Sequence, residues 1–268
     1  MKRNYTIIPL FLLLFVAMVA CSNKSRNNAD SEGKQPQSTV NVPQFDADSA
    51  YQYVKAQVDF GPRVPNTAAH RACGEYLVKK LEQFGATVCS QQVDLIAYDG
   101  TLLKARNIIG SYKPETKKRI LLLSHWDSRP WADADPDEKN RHTPILGAND
   151  GASGVGVLLE IARQLHKQQP ELGIDIVLVD AEDYGPHQSY EGTHKEEQWA
   201  LGSQYWAQNP HVQGYNARFG ILLDMVGAKD ATFLYEGYSE EFAKGINRKV
   251  WNLSLIHISE PTRQEAIS

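Results

Sequence analysis

The residues most able to do chemistry are acids and an imidazole that follow apolar runs. Ile120-Leu121-Leu122-Leu123 leads into His125 and Asp127. Ile174 to Val179 leads into Asp180, Glu182 and Asp183, and Phe219 to Leu223 leads into Asp224. A further acid, Asp150, stands just before Gly151-Ala152-Ser153 at the mouth of an amphipathic stretch. One acid after a strand commonly caps a helix or a turn. Three strand ends and a helix start supplied this way point instead to a shared site, since ligands of open α/β sheets sit beyond the carboxyl ends of the strands. Carboxylates crowded together repel and call for a cation, and zinc suits a mixed imidazole and carboxylate set with an open position.

The elements that must position these groups read as follows. Residues 46–58, 67–84 and 151–167 carry helical apolar spacing, with a shorter helix near 200–208. The second helix ends at Gly85, a good C-terminal stop. Strands are expected at 87–95, 104–111, 118–124, 174–180 and 218–225, and a Pro- and Asp-rich loop at 128–146. Near-continuous apolar strands alternating with helices predict an α/β fold whose sheet is covered on both faces; the early neighbouring strands could pair antiparallel, making the sheet mixed. Asp133, Asp135 and Asp137 alternate on the long loop but lack the glycine and distal glutamate of a calcium loop, so a solvated turn is expected. Trp126, Trp131, Trp199 and Trp206 either line a small apolar pocket or pack the core.

His125-Trp126-Asp127, Gly147-Ala148-Asn149-Asp150-Gly151-Ala152-Ser153-Gly154, Asp180-Ala181-Glu182-Asp183 and Leu223-Asp224-Met225-Val226-Gly227 resemble, in order, the signatures of the zinc aminopeptidase family, which includes the glutaminyl cyclases. Asn107-Ile108-Ile109-Gly110 and Gly61-Pro62-Arg63-Val64-Pro65 are similar to its upstream segments. The resemblance implies a three-layer zinc aminopeptidase-like fold with a mixed central sheet. It implies Zn2+ held by Asp150 and Asp183, with Glu182 as general acid/base and Asp224 as a further catalytic residue. Asp183 departs from the glutamate usual at its position. His125 and Asp224 match the positions of a second zinc in the aminopeptidases, and stand beside a single zinc in the cyclases; Asp127 belongs with His125. The third ligand in the family is a histidine much nearer the C-terminus, which this chain does not supply. The segments 125–133 and 201–206 look more like bacterial glutaminyl cyclases than generic aminopeptidases. The expected substrates are therefore peptides or proteins with N-terminal Gln. An aminopeptidase and an inactive binding protein on the same fold are the alternatives.

The ends carry a different message. Residues 1–20 have the layout of a secretory signal, with Lys2 and Arg3 before an apolar run too short for a membrane span. Met18-Val19-Ala20-Cys21 looks like a lipobox, so Cys21 is the expected lipidation site; an ordinary signal with a chance cysteine is the alternative. The polar segment 21–45 reads as a flexible stalk, and 46–252 as the catalytic domain, incomplete at its C-terminus. Residues 253–268 resemble an in-frame translation of a sequencing adapter and are set aside, His257 with them. The expected location is exported and lipid-anchored, on the periplasmic side of the outer membrane or at the cell surface. The net charge of −4, with no basic run beyond the signal, gives no sign of nucleic acid. Cys73 and Cys89 form either a disulfide or two separate buried thiols.

Overall fold

The computed structural model describes residues 42–257, and the readings of 1–20, of Cys21 and the stalk up to 41, and of 258–268 lie outside the described residues. Two helices open the fold, α1 (Ala47–Val58) and α2 (Ala68–Gln83). Each starts at a capping side chain: Asp46 accepts from the Ser49 N–H, and Thr67 from the His70 N–H. Such caps satisfy amides that have no partner within the helix. Strands β1 (Thr87–Ile96), β2 (Leu102–Tyr112) and β3 (Arg119–His125) follow. Then come α3 (Ala152–Lys167), β4 (Gly173–Val179), α4 (Leu201–Gln208) and the short β5 (Gly220–Leu222). Helices α5 (Gly237–Phe242) and α6 (Lys244–His257) close the described chain.

The five strands form one sheet in the order β1-β2-β4-β3-β5. β3 runs parallel to both β4 and β5, while β2 is antiparallel to β1 and to β4, so the sheet is mixed. Alternation along β4 decides which layer each side chain joins. Ile174, Ile176 and Leu178 enter a core with Leu77 and Leu81 of α2 and Val155, Leu158 and Leu159 of α3. Val177 and Val179 point the other way, against Trp206 of α4. Helices thus cover both faces, giving the three-layer α/β arrangement expected.

Two expectations need correction. Cys73 and Cys89 are both free: Cys73 is buried on α2, and Cys89 is exposed on β1. Val88 packs against the core that holds Cys73, so strand alternation turns Cys89 to the opposite face, out of bonding reach. The strand expected at 218–225 narrows to Gly220–Leu222, because the backbone leaves the ladder before Met225, which has φ 51°. Helix α6 continues beyond Asn252 into the segment set aside. The aspartates of the long loop behave as a turn. Asp133 accepts from Arg129 and the Gln188 N–H, Asp135 from the Asp137 N–H, and Asp137 caps a 3-10 turn at Glu138–Asn140.

Candidate metal centre and active site

The parallel strands β3, β4 and β5 end side by side, and their register sets what meets there. His125 is level with Val179, and Leu123 with Leu222; two residues further on, Asp224 falls opposite His125. The measured contacts agree. His125 Nε2 lies 3.3 Å from an Asp224 oxygen and 2.9 Å from an Asp150 oxygen. Asp150 arrives from the turn before α3, where Gly151 has φ 84°, and a Cβ on that glycine would meet the Asp127 carbonyl at 2.6 Å. Gly154, one turn on, lies directly against the Leu223 carbonyl and the Ser124 hydroxyl, so α3 can approach β5 only without a side chain there. Asn149 and Ser153 complete the join by accepting from the N–H groups of Gly227 and Val226.

Asp127 is fully buried and holds the next acidic turn. Its two oxygens accept from the Glu182 N–H at 3.1 Å and the Asp183 N–H at 3.2 Å, and one also lies 3.4 Å from His125 Nδ1. The imidazole thus turns one nitrogen toward Asp127 and the other toward Asp150 and Asp224. The turn itself is strained: Ala181 has φ 52°, just before Glu182, as Met225 does just after Asp224. Asp180 anchors it, accepting from the N–H groups of Ala181 and Arg106 and meeting His70 Nε2 at 2.9 Å.

Charge is concentrated in this space. Burial pushes the Glu182 carboxyl up to about 7, helped by Asp127, Asp224 and Asp150 against the opposing pull of His125. Burial and Asp127 push Asp183 up to about 8. Burial alone would lower the His125 pKa, but Asp127, Asp150 and Asp224 outweigh it and hold the ring well above its usual value. Burial would raise Asp127, yet His125 and the two backbone N–H groups keep it below the usual carboxylate range. The negative charge exceeds what the enclosed groups neutralise.

These residues fit zinc. One ligand atom from each of His125, Asp150 and Asp224 lies within 4.8 Å of the others. Although Nε2 stands close to both carboxylates, neither approach has hydrogen-bond geometry, and Asp183 Oδ2 is buried without a partner. Donor atoms that converge without bonding one another are arranged as around a cation. Asp183 stands outside the three-residue cluster but close enough for its charge to act on the same groups.

Of the tryptophans, Trp126 and Trp206 are core residues, and Trp126 stacks on His70 with 4.3 Å between ring centroids. Trp131 and Trp199 line a recess of about 560 Å³ with Arg129 and Ile145. Arg129 is a participant that sequence reasoning missed. It donates to the carbonyls of Asp183 and Pro186, both at 3.0 Å, and lies over the Trp199 ring. Its only signal was its place in the segment 125–133.

A mixed sheet covered on both faces, with an imidazole and carboxylates gathered where its parallel strands end, defines a protein of the zinc-exopeptidase type. The chain belongs to peptidase family M28, whose model matches residues 107–266. It is similar to a glutaminyl cyclase from Bacteroides thetaiotaomicron bound to N-acetylhistamine, at 77% identity and a TM-score of 0.79, covering 79% of this chain and 73% of that one. It is equally similar, at 77% identity and a TM-score of 0.79, to a leucine aminopeptidase precursor from the same organism, covering 80% of this chain and 73% of that one. A glutaminyl-peptide cyclotransferase from Drosophila melanogaster is 27% identical over 183 residues, 64% of this chain and 46% of its own length. The chain thus spans less than half of that curated relative.

Proposed function

We propose that this protein is a zinc-dependent glutaminyl-peptide cyclotransferase that converts an N-terminal glutamine to pyroglutamate with release of ammonia. The carrying observation is Glu182, set beside His125, Asp150 and Asp224 and held near 7, in a chain 77% identical to a bacterial glutaminyl cyclase. A general acid/base works best when its pKa lies near the working pH. Asp150 and Asp183 would hold the metal, with a histidine as third ligand, and His125 and Asp127 would stand beside them. Zinc bound there supplies a Lewis acid for the γ-carbonyl oxygen of the substrate glutamine.

The remaining chemistry falls to the chain. The α-amine nitrogen bonds to the γ-carboxamide carbon, and the carbon–nitrogen bond of that carboxamide breaks. Glu182 takes the proton that the amine gives up and returns it to the departing nitrogen, which leaves as ammonia. Asp224 lies more open than His125, with 41% of its side chain exposed. From there it accepts a hydrogen bond from the reacting nitrogen. Trp199 and Trp131 form an apolar wall that limits water beside the turn bearing Glu182.

Cyclisation is tested by incubating the full chain with an N-terminal Gln peptide, following ammonia and pyroglutamate, with and without a zinc chelator. Chelator-sensitive formation of both is expected. A second reading, a two-zinc aminopeptidase, draws on His125, Asp150 and Asp224, which make a metal set by themselves. Release of free N-terminal amino acids without pyroglutamate would establish it instead. We further propose that the protein is exported and anchored in a membrane through a lipid on Cys21, with the polar segment to about residue 45 as its tether.

A further inference from the structure

We infer that Arg63 is a positioning residue for the metal site, its guanidinium fastening the strand end that carries His125 and Asp127 to the loop that delivers Asp150. This rests on the proposed metal site. Arg63 is 0% exposed. Its Nε donates to the Trp126 carbonyl at 3.0 Å, Nη1 to the Leu146 carbonyl at 2.7 Å, and Nη2 to the Gly147 carbonyl at 2.8 Å. Its backbone is tied to the same strand end: the Arg63 N–H donates to Ser128 Oγ at 2.8 Å, and the Ser128 N–H to the Arg63 carbonyl at 3.3 Å. The Gly147 carbonyl also accepts from the Ala152 N–H, so the contact continues into the first turn of α3.

Other arginines of this fold have acid partners: Arg119 has Asp175, Arg163 has Glu160, and Arg129 has Asp133. Among the described residues, each hydrogen bond that the Arg63 side chain makes goes to a neutral carbonyl. A buried charge held this way costs desolvation that a neutral side chain would avoid. Burial prevails and holds the guanidinium below its ordinary pKa, and the charges of Asp127 and Asp150 oppose that only in part, so the side chain is kept at a cost that its three hydrogen bonds must answer for. The planar fork suits the task because three fixed donors reach carbonyls on two separate segments. The loop is pressed against it: a Cβ at Gly147, φ 58°, would meet Arg63 Nη2 and Ser128 Cβ, each at 2.8 Å.

Arg63→Lys keeps the charge and loses the fork. In the full chain, zinc affinity by chelator competition, the visible spectrum of the cobalt-loaded protein and thermal melting are compared with Arg119→Lys, a buried arginine at the opposite ends of the strands. Arg63→Lys is expected to bind zinc roughly 10- to 100-fold more weakly, with altered cobalt bands, the usual effect of losing a group that supports metal ligands. Arg119→Lys is expected to melt earlier while keeping both within about twofold of the parent. Should Arg63→Lys not fold, Ser128→Ala removes the hydroxyl that accepts from the Arg63 N–H and is expected to weaken zinc likewise. Undiminished affinity in the folded variants, or an equal loss in Arg119→Lys, overturns the role of Arg63 and leaves the metal site standing. Absence of zinc binding by the parent removes both.

Discussion

Glu182 and Asp150 lie in the same field of charge, yet their burial and contacts divide the work. Asp150 sits 2.9 Å from the imidazole nitrogen that faces the cluster, and it is one of the three convergent ligand atoms. Glu182 contributes no ligand atom to that cluster, and burial brings its carboxyl to about 7, where it can both take and return a proton. Glu182→Gln is therefore expected to keep zinc while turnover falls roughly 10²- to 10⁴-fold, the usual worth of a positioned acid/base. Asp150→Asn is expected to lose the metal. Metal analysis of the two purified variants separates the roles, and the opposite pattern would reverse the assignment. Most of the residues bearing this chemistry were legible because they follow apolar runs, and a chain leaving a buried strand must expose its next polar groups at the sheet end; Asp150 was legible from its place at the start of a helix. Arg63 and Arg129 were not legible in the same way. Their partners are mainly backbone carbonyls, and no residue type marks which carbonyls a fold will bring together.

At the scale of elements, helix α3 and the strands around it explain why the glycines of the segment 147–154 matter. Gly154 lets the helix rest on the Leu223 carbonyl, immediately before Asp224. A methyl group there has nowhere to go, because a backbone carbonyl and the buried Ser124 hydroxyl both lie in its path. Gly154→Ala is expected to destabilise the fold by about 1–3 kcal/mol, the range for overpacking, and to weaken zinc binding by shifting the start of α3 and with it Asp150. A melting curve alongside a zinc titration checks it; an unchanged melting point would mean the helix yields without strain. The principal helices and strands were legible from their periodicity, since burial on one face or on both leaves its mark on residue order. Helices α5 and α6 were not: α5, Gly237–Phe242, is too short to show a period, and α6, Lys244–His257, runs into the segment set aside. The cysteines show another limit: sequence places Cys73 and Cys89 on neighbouring elements, but only the alternation of β1 tells which face Cys89 takes.

At the scale of the whole molecule, two properties follow, one from the N-terminal segment and one from the pooled charge of the site. No described helix is long and apolar enough to cross a membrane, and the attachment proposed above is a lipid on Cys21. Cys21→Ser is expected to move the protein from the membrane to the soluble fraction with its melting point unchanged; continued sedimentation with membranes would contradict lipidation. The second property is how stability changes with pH when the metal is removed. Glu182 and Asp183 have folded-state values of about 7 and about 8, above the ordinary values of 4.5 and 3.8 that an unfolded chain restores. Between those limits the folded state binds more protons than the unfolded one, so raising the pH favours unfolding. His125 acts in the same direction. Its folded pKa is raised well above 6.5 by Asp127, Asp150 and Asp224, and the stability this brings is complete below 6.5 and is lost as pH climbs through the folded value. The chelated protein is therefore expected to melt at progressively lower temperature from about pH 5 to pH 8. Zinc opposes the trend, because a cation among the carboxylates removes the penalty for ionising them. The gap between zinc-loaded and chelated melting temperatures should accordingly widen with pH across that window. A gap that stays constant would mean these acids do not share their charge with the metal, and would place the zinc elsewhere.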